Sequence, residues 1–591
     1  MKDFKEAPLI LNQSTLEELQ KQDDKVSRLS QLKEFYYNGF YSDFELTILK
    51  HKPNDCPIVQ KYSKLETFQY NSKSVTLNTF YSEHPLREYQ KRTANGLKAD
   101  DFQKIDSLPV LIFIHGLGGQ LSQFEPVLQE FRNCADVFGV DLPGFGNSKP
   151  NMLKNGKFKL SEYSDQDINK LDTDLANLTL EDYTSESIAS LLLAILQTKF
   201  PNRKFILIAH SMGTHLAVRL TNLLPENRVE SLVLLAPPKL APMNLPFAMK
   251  IALGLFTYVP RLFDLYRYTD RSGGLNSPSV VKFIYPEQDD LLKRVTQFRW
   301  NLDTESETFL NYLNGFHLIS AEDLVSAATK VINSKNETRI LICCGDSDKV
   351  TPYGVSLAMK NVLESSQIPV QLEKIEKANH SLFLDRPHYL TGVIYQFVEA
   401  LGLNINCTWV LQIKAQISGD KWGLKNKEKW DKVVTLSTPM QAAGKPVSPL
   451  LGMKTLRQTD SVHNPSVFEE SHPEIAAIID IGSDTPAYDP AAFKRIEYVK
   501  FKTESKVTPD NVTIVRFIGK ADKLVQKLAA GQFIAVHCHY GQNRTGFFIC
   551  CYLVEKLGWS VKEALDAFEK AKPPGIRHEH FKNALYLRYG E

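Results

Sequence analysis

The chain has 591 residues, 43% hydrophobic, 10% aromatic and 23% charged. This is the composition of a globular protein, and at about 100–200 residues per domain it is too long for one core. Its 70 Lys and Arg against 68 Asp and Glu leave a net charge of +2, so no whole-chain field recruits nucleic acid or an anionic membrane, and such a partner needs a local patch.

The start, Met1-Lys2-Asp3-Phe4-Lys5-Glu6, lacks an apolar run of signal-peptide length, and no stretch is apolar for long enough to span a bilayer. The 8 cysteines form no CxxC pair and no zinc-like spacing with histidine. A disulfide scaffold and a zinc module are thereby disfavoured, and the expectation is a cytoplasmic or nuclear protein with reduced thiols and no transmembrane segment.

In chain order, residues 1–59 read as an N-terminal extension, of which 1–30 are polar and charged and read as a tail ending in a short helix. The alternating apolar stretches 44–49 and 74–79 suggest early antiparallel strands. From residue 108 short, wholly apolar runs recur at Val110–Ile114, Val137–Val140, 205–209, 232–236 and 340–344, with helix-length segments between them. Such runs predict a parallel sheet buried on both faces. Between 237 and 320 the rhythm breaks into an aromatic, Pro-punctuated stretch that reads as a helical cap inserted in that domain, which spans 60–403. The polar 404–452 segment, with its Trp/Lys-rich and Pro/Ser/Gly-rich parts, reads as a connector. Beyond it, at 453–591, Ile475–Asp480 and Phe533–His537 read as buried strands of a second α/β domain.

The first constellation is built on a serine. The run 205–209 leads into His210-Ser211-Met212-Gly213, the G-x-S-x-G pattern with Ala209 for the first glycine. A sharp strand-to-helix turn of this kind lifts the Ser211 hydroxyl out of the sheet and aims the Met212 N–H at a developing oxyanion. A hydroxyl is a poor nucleophile without a base, so an acid and a histidine must follow. Gly345-Asp346-Ser347-Asp348 supplies Asp348 at a strand's carboxyl end, and Ala378-Asn379-His380 supplies the base. His115-Gly116-Leu117-Gly118-Gly119, straight after an apolar run, offers the Leu117 N–H as a second oxyanion donor.

Together with Asp141-Leu142-Pro143-Gly144, these blocks resemble the α/β-hydrolase family. The resemblance implies Ser211 as nucleophile, His380 as general base, Asp348 as its orienter, and a cap shaping an acyl or lipid-like pocket. The apolar cap residues 245–268 also suit peripheral contact with a membrane surface.

The second constellation is built on a cysteine. Phe533–His537 is followed by Cys538-His539-Tyr540-Gly541-Gln542-Asn543-Arg544-Thr545-Gly546, a C-x5-R loop between a strand and a helix start. Backbone amides of residues 539–544 can curl around a phosphate, with Arg544 as a planar fork to its oxygens. The same positive nest lowers the cysteine pKa and supplies a thiolate. Thr545 sits where a hydroxyl can assist hydrolysis of a phosphocysteine.

This region resembles a dual-specificity-type cysteine phosphatase and, within that superfamily, the RNA 5′-triphosphatase domain of mRNA capping enzymes. The likeness rests on Ile479-Asp480-Ile481, Tyr488-Asp489, 537–546, 553–557, Trp559-Ser560, 572–576 and 587–590. It implies Asp480 as an auxiliary residue. No K-x-D-G motif occurs, so the chain is not a whole capping enzyme.

The loop ahead of the phosphatase strand holds two possible general acids, Glu504 and Asp510. Asp510, after Thr508-Pro509, reads more naturally as a helix N-cap. A monoester with a poor leaving group needs such an acid, whereas a polyphosphate leaving group does not.

The expected architecture is a capped α/β-hydrolase fold followed by an α/β domain of the cysteine-phosphatase fold. The expected function is a bifunctional hydrolase needing no metal and no cofactor. It would act on a small or lipid-like ester and on a phosphorylated protein or 5′-phosphorylated RNA. The alternative is a phosphatase whose hydrolase fold only binds a ligand or regulates.

Overall fold

The computed structural model describes residues 13–23, 41–51, 55–91, 97–149, 163–242, 254–331, 337–417, 424–483 and 485–591. The chain divides into two compact units: Met1–Pro85 with Lys98–Leu390 and Phe397–Leu403, and Leu86–Leu97 with Thr391–Gln396 and Asn404–Glu591.

The first unit is built on an 8-stranded sheet of order β1-β2-β4-β3-β5-β6-β7-β8. Strands β1 (Ser63–Tyr70) and β2 (Lys73–Ser82) form an antiparallel hairpin, and β2 runs antiparallel to β4 (Val137–Val140). From β4 onward all neighbours are parallel: β3 (Val110–Ile114), β5 (Phe205–His210), β6 (Val229–Leu235), β7 (Ile340–Gly345) and β8 (Gln371–Ile375). Successive strand residues face opposite sides. Val110, Ile112 and Ile114 therefore join the core with Leu207 and Ala209, while Phe113 turns to the other face and meets Phe124 edge-on at 5.2 Å. Burial on both faces is why β3 and β4 carry no polar residue.

The predicted cap is a set of helices that includes Pro260–Arg271, Leu291–Asp303 and Ser306–Gly315. Residues 245–253 of the apolar cap stretch lie outside the described residues. The 74–79 run is a strand, but 44–49 is not: Asp43–His51 is a helix. The Ser42 N–H donates to Glu45 Oε2 at 2.8 Å and the Glu45 N–H to Ser42 Oγ at 3.2 Å, a reciprocal cap that starts a helix. Phe44, Ile48 and Leu49, which share one helical face, are buried with Leu275, Phe298 and Leu302 of the cap. The extension is thus partly built into the cap.

The second unit carries a 4-stranded parallel sheet of order β11-β10-β12-β9, where β9 is Leu450–Met453, β10 Ile475–Asp480, β11 Glu497–Lys500 and β12 Phe533–His537. Residues 404–452 are therefore not a free connector. They hold the helices Cys407–Ile417 and Leu424–Asp431 and most of β9, which pairs with β12. Trp430 is fully buried, its indole N–H donating to the Thr455 carbonyl at 3.0 Å, and Lys454 Nζ donates to the Trp430 carbonyl at 3.0 Å. The polar composition misled because scattered apolar residues, among them Val410, Ile413, Trp430, Met440, Leu450 and Leu451, are buried and anchor an otherwise polar segment.

Among the described residues no helix is long and apolar enough to cross a membrane.

Candidate active sites

The serine site stands at the carboxyl ends of β3, β5 and β7. Ser211 has φ 52° and ψ −124°, a left-handed conformation that a non-glycine residue adopts only where its surroundings impose it. Gly213 is required behind it, because a Cβ there would lie 2.5 Å from the Ile114 carbonyl oxygen. A Cβ on Gly116 would lie 2.8 Å from the Ser211 Cβ and 3.3 Å from the Met212 nitrogen, so glycine lets the Leu117 loop close against the serine.

The three predicted side chains meet. His380 Nε2 lies 3.1 Å from Ser211 Oγ and His380 Nδ1 lies 2.8 Å from Asp348 Oδ2. With Nδ1–H donating to the carboxylate, Nε2 is left as the acceptor of the serine proton. Asp348 also accepts from the Val350 N–H (2.7 Å), the Thr351 N–H (2.8 Å) and the Thr351 hydroxyl (2.8 Å). Burial raises its pKa, but the bonds from His380 and Thr351 outweigh that and hold the carboxyl below its usual range.

Three positioning residues were not singled out from sequence. His210 Nε2 lies 3.1 Å from the His380 carbonyl oxygen and ties down the catalytic loop; burial and the neighbouring His380 push it down to about 3, so it stays neutral. His115 takes the Leu142 N–H on Nε2 at 2.9 Å, which leaves Nδ1–H to donate to the Gly116 carbonyl at 2.8 Å and set the oxyanion loop. Asp141 accepts the Leu121 N–H at 2.8 Å from the same loop, and burial raises its pKa to about 6. Each occupies a motif at a strand end, and that placement was the available signal.

The cysteine site stands at the carboxyl end of β12. Cys538 is buried, which alone would raise its pKa. The Arg544 charge, the Thr545 hydroxyl and N–H groups at Gly541 and Thr545 overcome this and lower it. That hydroxyl pairs with no nitrogen or oxygen among the described residues. Arg544 Nη1 is held by the carbonyls of Ile481 (3.2 Å), Thr503 (3.1 Å) and Glu504 (3.3 Å), which fixes the guanidinium at the wall of the cavity beside Cys538. Gly541 has φ +66°, and a Cβ there would lie 2.0 Å from the Met453 carbonyl oxygen, so the loop's curl admits glycine alone.

Of the predicted phosphate-binding residues, His539, Tyr540, Gln542, Asn543 and Arg544 line the cavity of about 880 Å³ that opens over Cys538. Asp480 is not among its lining residues. Its carboxylate accepts from Tyr498 Oη and Lys500 Nζ, both at 2.8 Å, and stands 3.7 Å from His537 Nδ1. His537 Nε2 lies 2.7 Å from Tyr488 Oη and Nδ1 2.9 Å from the Cys538 carbonyl, so this network braces the loop from behind. The candidate acids separate: Glu504 lines the cavity, whereas Asp510 is exposed, off the cavity wall, and caps the helix Asn511–Val525 through the Thr513 N–H at 2.7 Å. The cap geometry accords with the N-cap reading of Asp510.

Fold and sites together define two hydrolytic domains in one chain, an α/β-hydrolase and a cysteine phosphatase. The model of the family described as alpha/beta hydrolase fold matches residues 109–387, and that of the dual specificity phosphatase catalytic domain matches residues 461–590. The chain belongs to the dual-specificity phosphatases and carries an α/β-hydrolase domain ahead of the phosphatase domain.

Lipid droplet hydrolase 1 of Saccharomyces cerevisiae is 29% identical over 289 residues, covering 47% of this chain and 72% of that protein. The mRNA-capping enzyme of Danio rerio is 37% identical over 121 residues, covering 20% of each chain. The tyrosine-protein phosphatase of Autographa californica nuclear polyhedrosis virus is 32% identical over 120 residues, covering 20% of this chain and 71% of that protein. The chain thus spans only a fifth of the capping enzyme's length.

Proposed function

We propose that the chain is a bifunctional hydrolase with two covalent mechanisms. Ser211 Oγ attacks a carboxylic ester as its proton passes to His380 Nε2, Asp348 steadies the resulting imidazolium, and the N–H groups of Leu117 and Met212 receive the oxyanion. Water then releases the acyl group by the same relay. Cys538 attacks a phosphoryl group held by the 539–544 loop and Arg544, and water hydrolyses the phosphocysteine. The observation that carries the reading is the Asp348–His380–Ser211 alignment at 2.8 and 3.1 Å, together with a charge-stabilised Cys538 in the second unit.

The ester is lipid-like. Supporting this are the likeness to a lipid droplet hydrolase and an exposed cap face, Leu255, Tyr258, Leu262, Leu265 and Tyr266, suited to peripheral contact with a lipid surface. The phosphorylated substrate is a protein or the 5′ end of an RNA, in keeping with the tyrosine-phosphatase and capping-enzyme likenesses. A thiolate mechanism suits the reducing cytoplasm or nucleus.

The test uses p-nitrophenyl phosphate and a short p-nitrophenyl acyl ester with wild type, Ser211→Ala and Cys538→Ser. Each variant is expected to lose its own activity alone. If Ser211→Ala leaves ester cleavage intact, the triad reading fails and the first domain is a binding or regulatory module.

A further inference from the structure

His380 stands in a loop whose backbone is gathered by one carboxylate. Asp385, at the end of the short helix Leu382–Asp385 that follows the base, is buried, and its Oδ2 accepts the Asn379 N–H at 2.7 Å. Asn379 in turn accepts the His380 N–H on Oδ1 at 3.0 Å. The other carboxylate oxygen reaches the cap, where Oδ1 accepts the Tyr285 N–H at 2.9 Å. Tyr285 belongs to a cap segment between the helices Pro278–Val281 and Leu291–Asp303, anchored by Ile284, which is buried with Val280, Val295 and Phe298. The same two regions meet again at Ser381, whose N–H donates to the Phe283 carbonyl at 3.4 Å and whose hydroxyl donates to Gln297 Oε1 at 3.2 Å. The Phe283 ring centre lies 5.7 Å from that of His380. Burial raises the Asp385 carboxyl to about 6 against the pull of the two N–H groups, which leaves it ionised at neutral pH with both oxygens as acceptors.

We propose that Asp385 is a positioning residue for His380, fastening the base loop to the cap segment Phe283–Tyr285 so that the imidazole lies in line with Ser211 when the cap is seated. A carboxylate suits this task because both of its oxygens accept, whereas an amide offers one acceptor and one donor. The Phe383 ring, packed edge-on against Phe124 at 4.9 Å and against His210 at 5.3 Å, keeps the helix that carries Asp385 in place. The inference rests on the Ser211–His380–Asp348 reading and deepens it.

The placement of the imidazole matters twice in acylation. His380 Nε2 first takes the Ser211 proton as Oγ bonds to the carbonyl carbon. As the tetrahedral intermediate collapses, the carbonyl re-forms and the C–O bond to the leaving group breaks. Its electron pair stays on the departing oxygen, and Nε2 delivers the proton there. An alkoxide needs that proton to depart, whereas p-nitrophenolate is stable enough to leave without it. A displaced imidazole therefore penalises an alkyl ester more than a p-nitrophenyl ester of the same acid.

The full chain is assayed with ethyl butyrate and with p-nitrophenyl butyrate, and the ratio of the two kcat/KM values, each reporting acylation, is followed. Asp385→Asn, which replaces one acceptor by a donor, is expected to lower the ethyl-to-nitrophenyl ratio about tenfold, a part of what general acid catalysis contributes. Tyr285→Pro reaches the same bond from the cap side: φ at Tyr285 is −72°, which proline adopts, and the N–H is removed. It should lower the ratio in the same direction, whereas Tyr285→Ala, which keeps the N–H, should leave it unchanged. A smaller folded fraction scales both rates equally and does not move the ratio. If Asp385→Asn does not fold, the two Tyr285 variants decide. An unchanged ratio in Asp385→Asn overturns the positioning role, and equal ratios in Tyr285→Pro and Tyr285→Ala overturn the fastening to the cap. Ester cleavage that survives Ser211→Ala overturns the triad reading instead.

Discussion

The two nucleophiles stand on the same local device, a buried parallel strand that turns sharply into a helix, yet they are activated differently. In the proposed mechanism Ser211 depends on His380 and Asp348, which lie 169 and 137 positions along the chain. Cys538 finds its activating charge six positions away at Arg544. The difference follows from acidity: a thiol, unlike a hydroxyl, titrates near enough to neutral pH for a cation and a nest of N–H groups to ionise it. A serine site must therefore be assembled by the whole domain, whereas a cysteine site is almost complete within one loop.

Mutations can break this contrast. The largest effect expected is for Ser211→Ala, where ester hydrolysis should fall by about a million-fold, as when a triad nucleophile is deleted. Asp348→Asn should cost about 10⁴-fold by disfavouring the productive tautomer of His380. Arg544→Lys is expected to lower phosphatase kcat/KM about 100-fold, because a point charge does not replace the planar fork. None of these substitutions should disturb the other activity, and cross-effects in paired assays would show that the two chemistries are not separate.

The pH profile sharpens the comparison further. The folded-state pKa of Cys538 is depressed, so the thiolate persists below the ordinary thiol value of about 8.5. Alkylation by iodoacetate plotted against pH should turn over below that value, and Arg544→Ala should move the midpoint up. The sign for stability is that of a depressed acid: the contribution is fully present above the unfolded thiol pKa and is lost as pH falls through the folded one. Denaturant titrations of wild type against Cys538→Ser should converge as pH is lowered through that window. The smallest effect concerns Asp510→Ala, which should slightly lower the denaturation midpoint through the lost cap and leave the phosphatase rate unchanged. A rate loss confined to substrates with poor leaving groups would return Asp510 to the chemistry.

Much of both sites was legible because catalysis at a turn demands particular residues at particular spacings. Gly213 and Gly541 are dictated by carbonyl oxygens 2.5 and 2.0 Å from where a Cβ would stand. The errors have equally local causes. Phe44, Leu46 and Ile48 alternate like a strand, but Ser42 and Glu45 had already specified a helix start, and Leu49 belongs to the face of Phe44 and Ile48. The 404–452 stretch was read by its polarity, although Trp430 is buried and part of the segment completes a sheet.

By itself the sequence determined the strand-to-turn-to-helix settings of Ser211 and Cys538 and the C-x5-R loop, since each follows from short-range sterics and hydrogen bonding. Only the tertiary structure decided that His210 and His115 brace the serine site, that Tyr488, His537 and Asp480 back the phosphate loop, and that Lys414 and Lys429 share a cavity with Arg577. Those pairings join residues far apart in the chain, and no periodicity or spacing records which distant side chains the packing of a core will bring together.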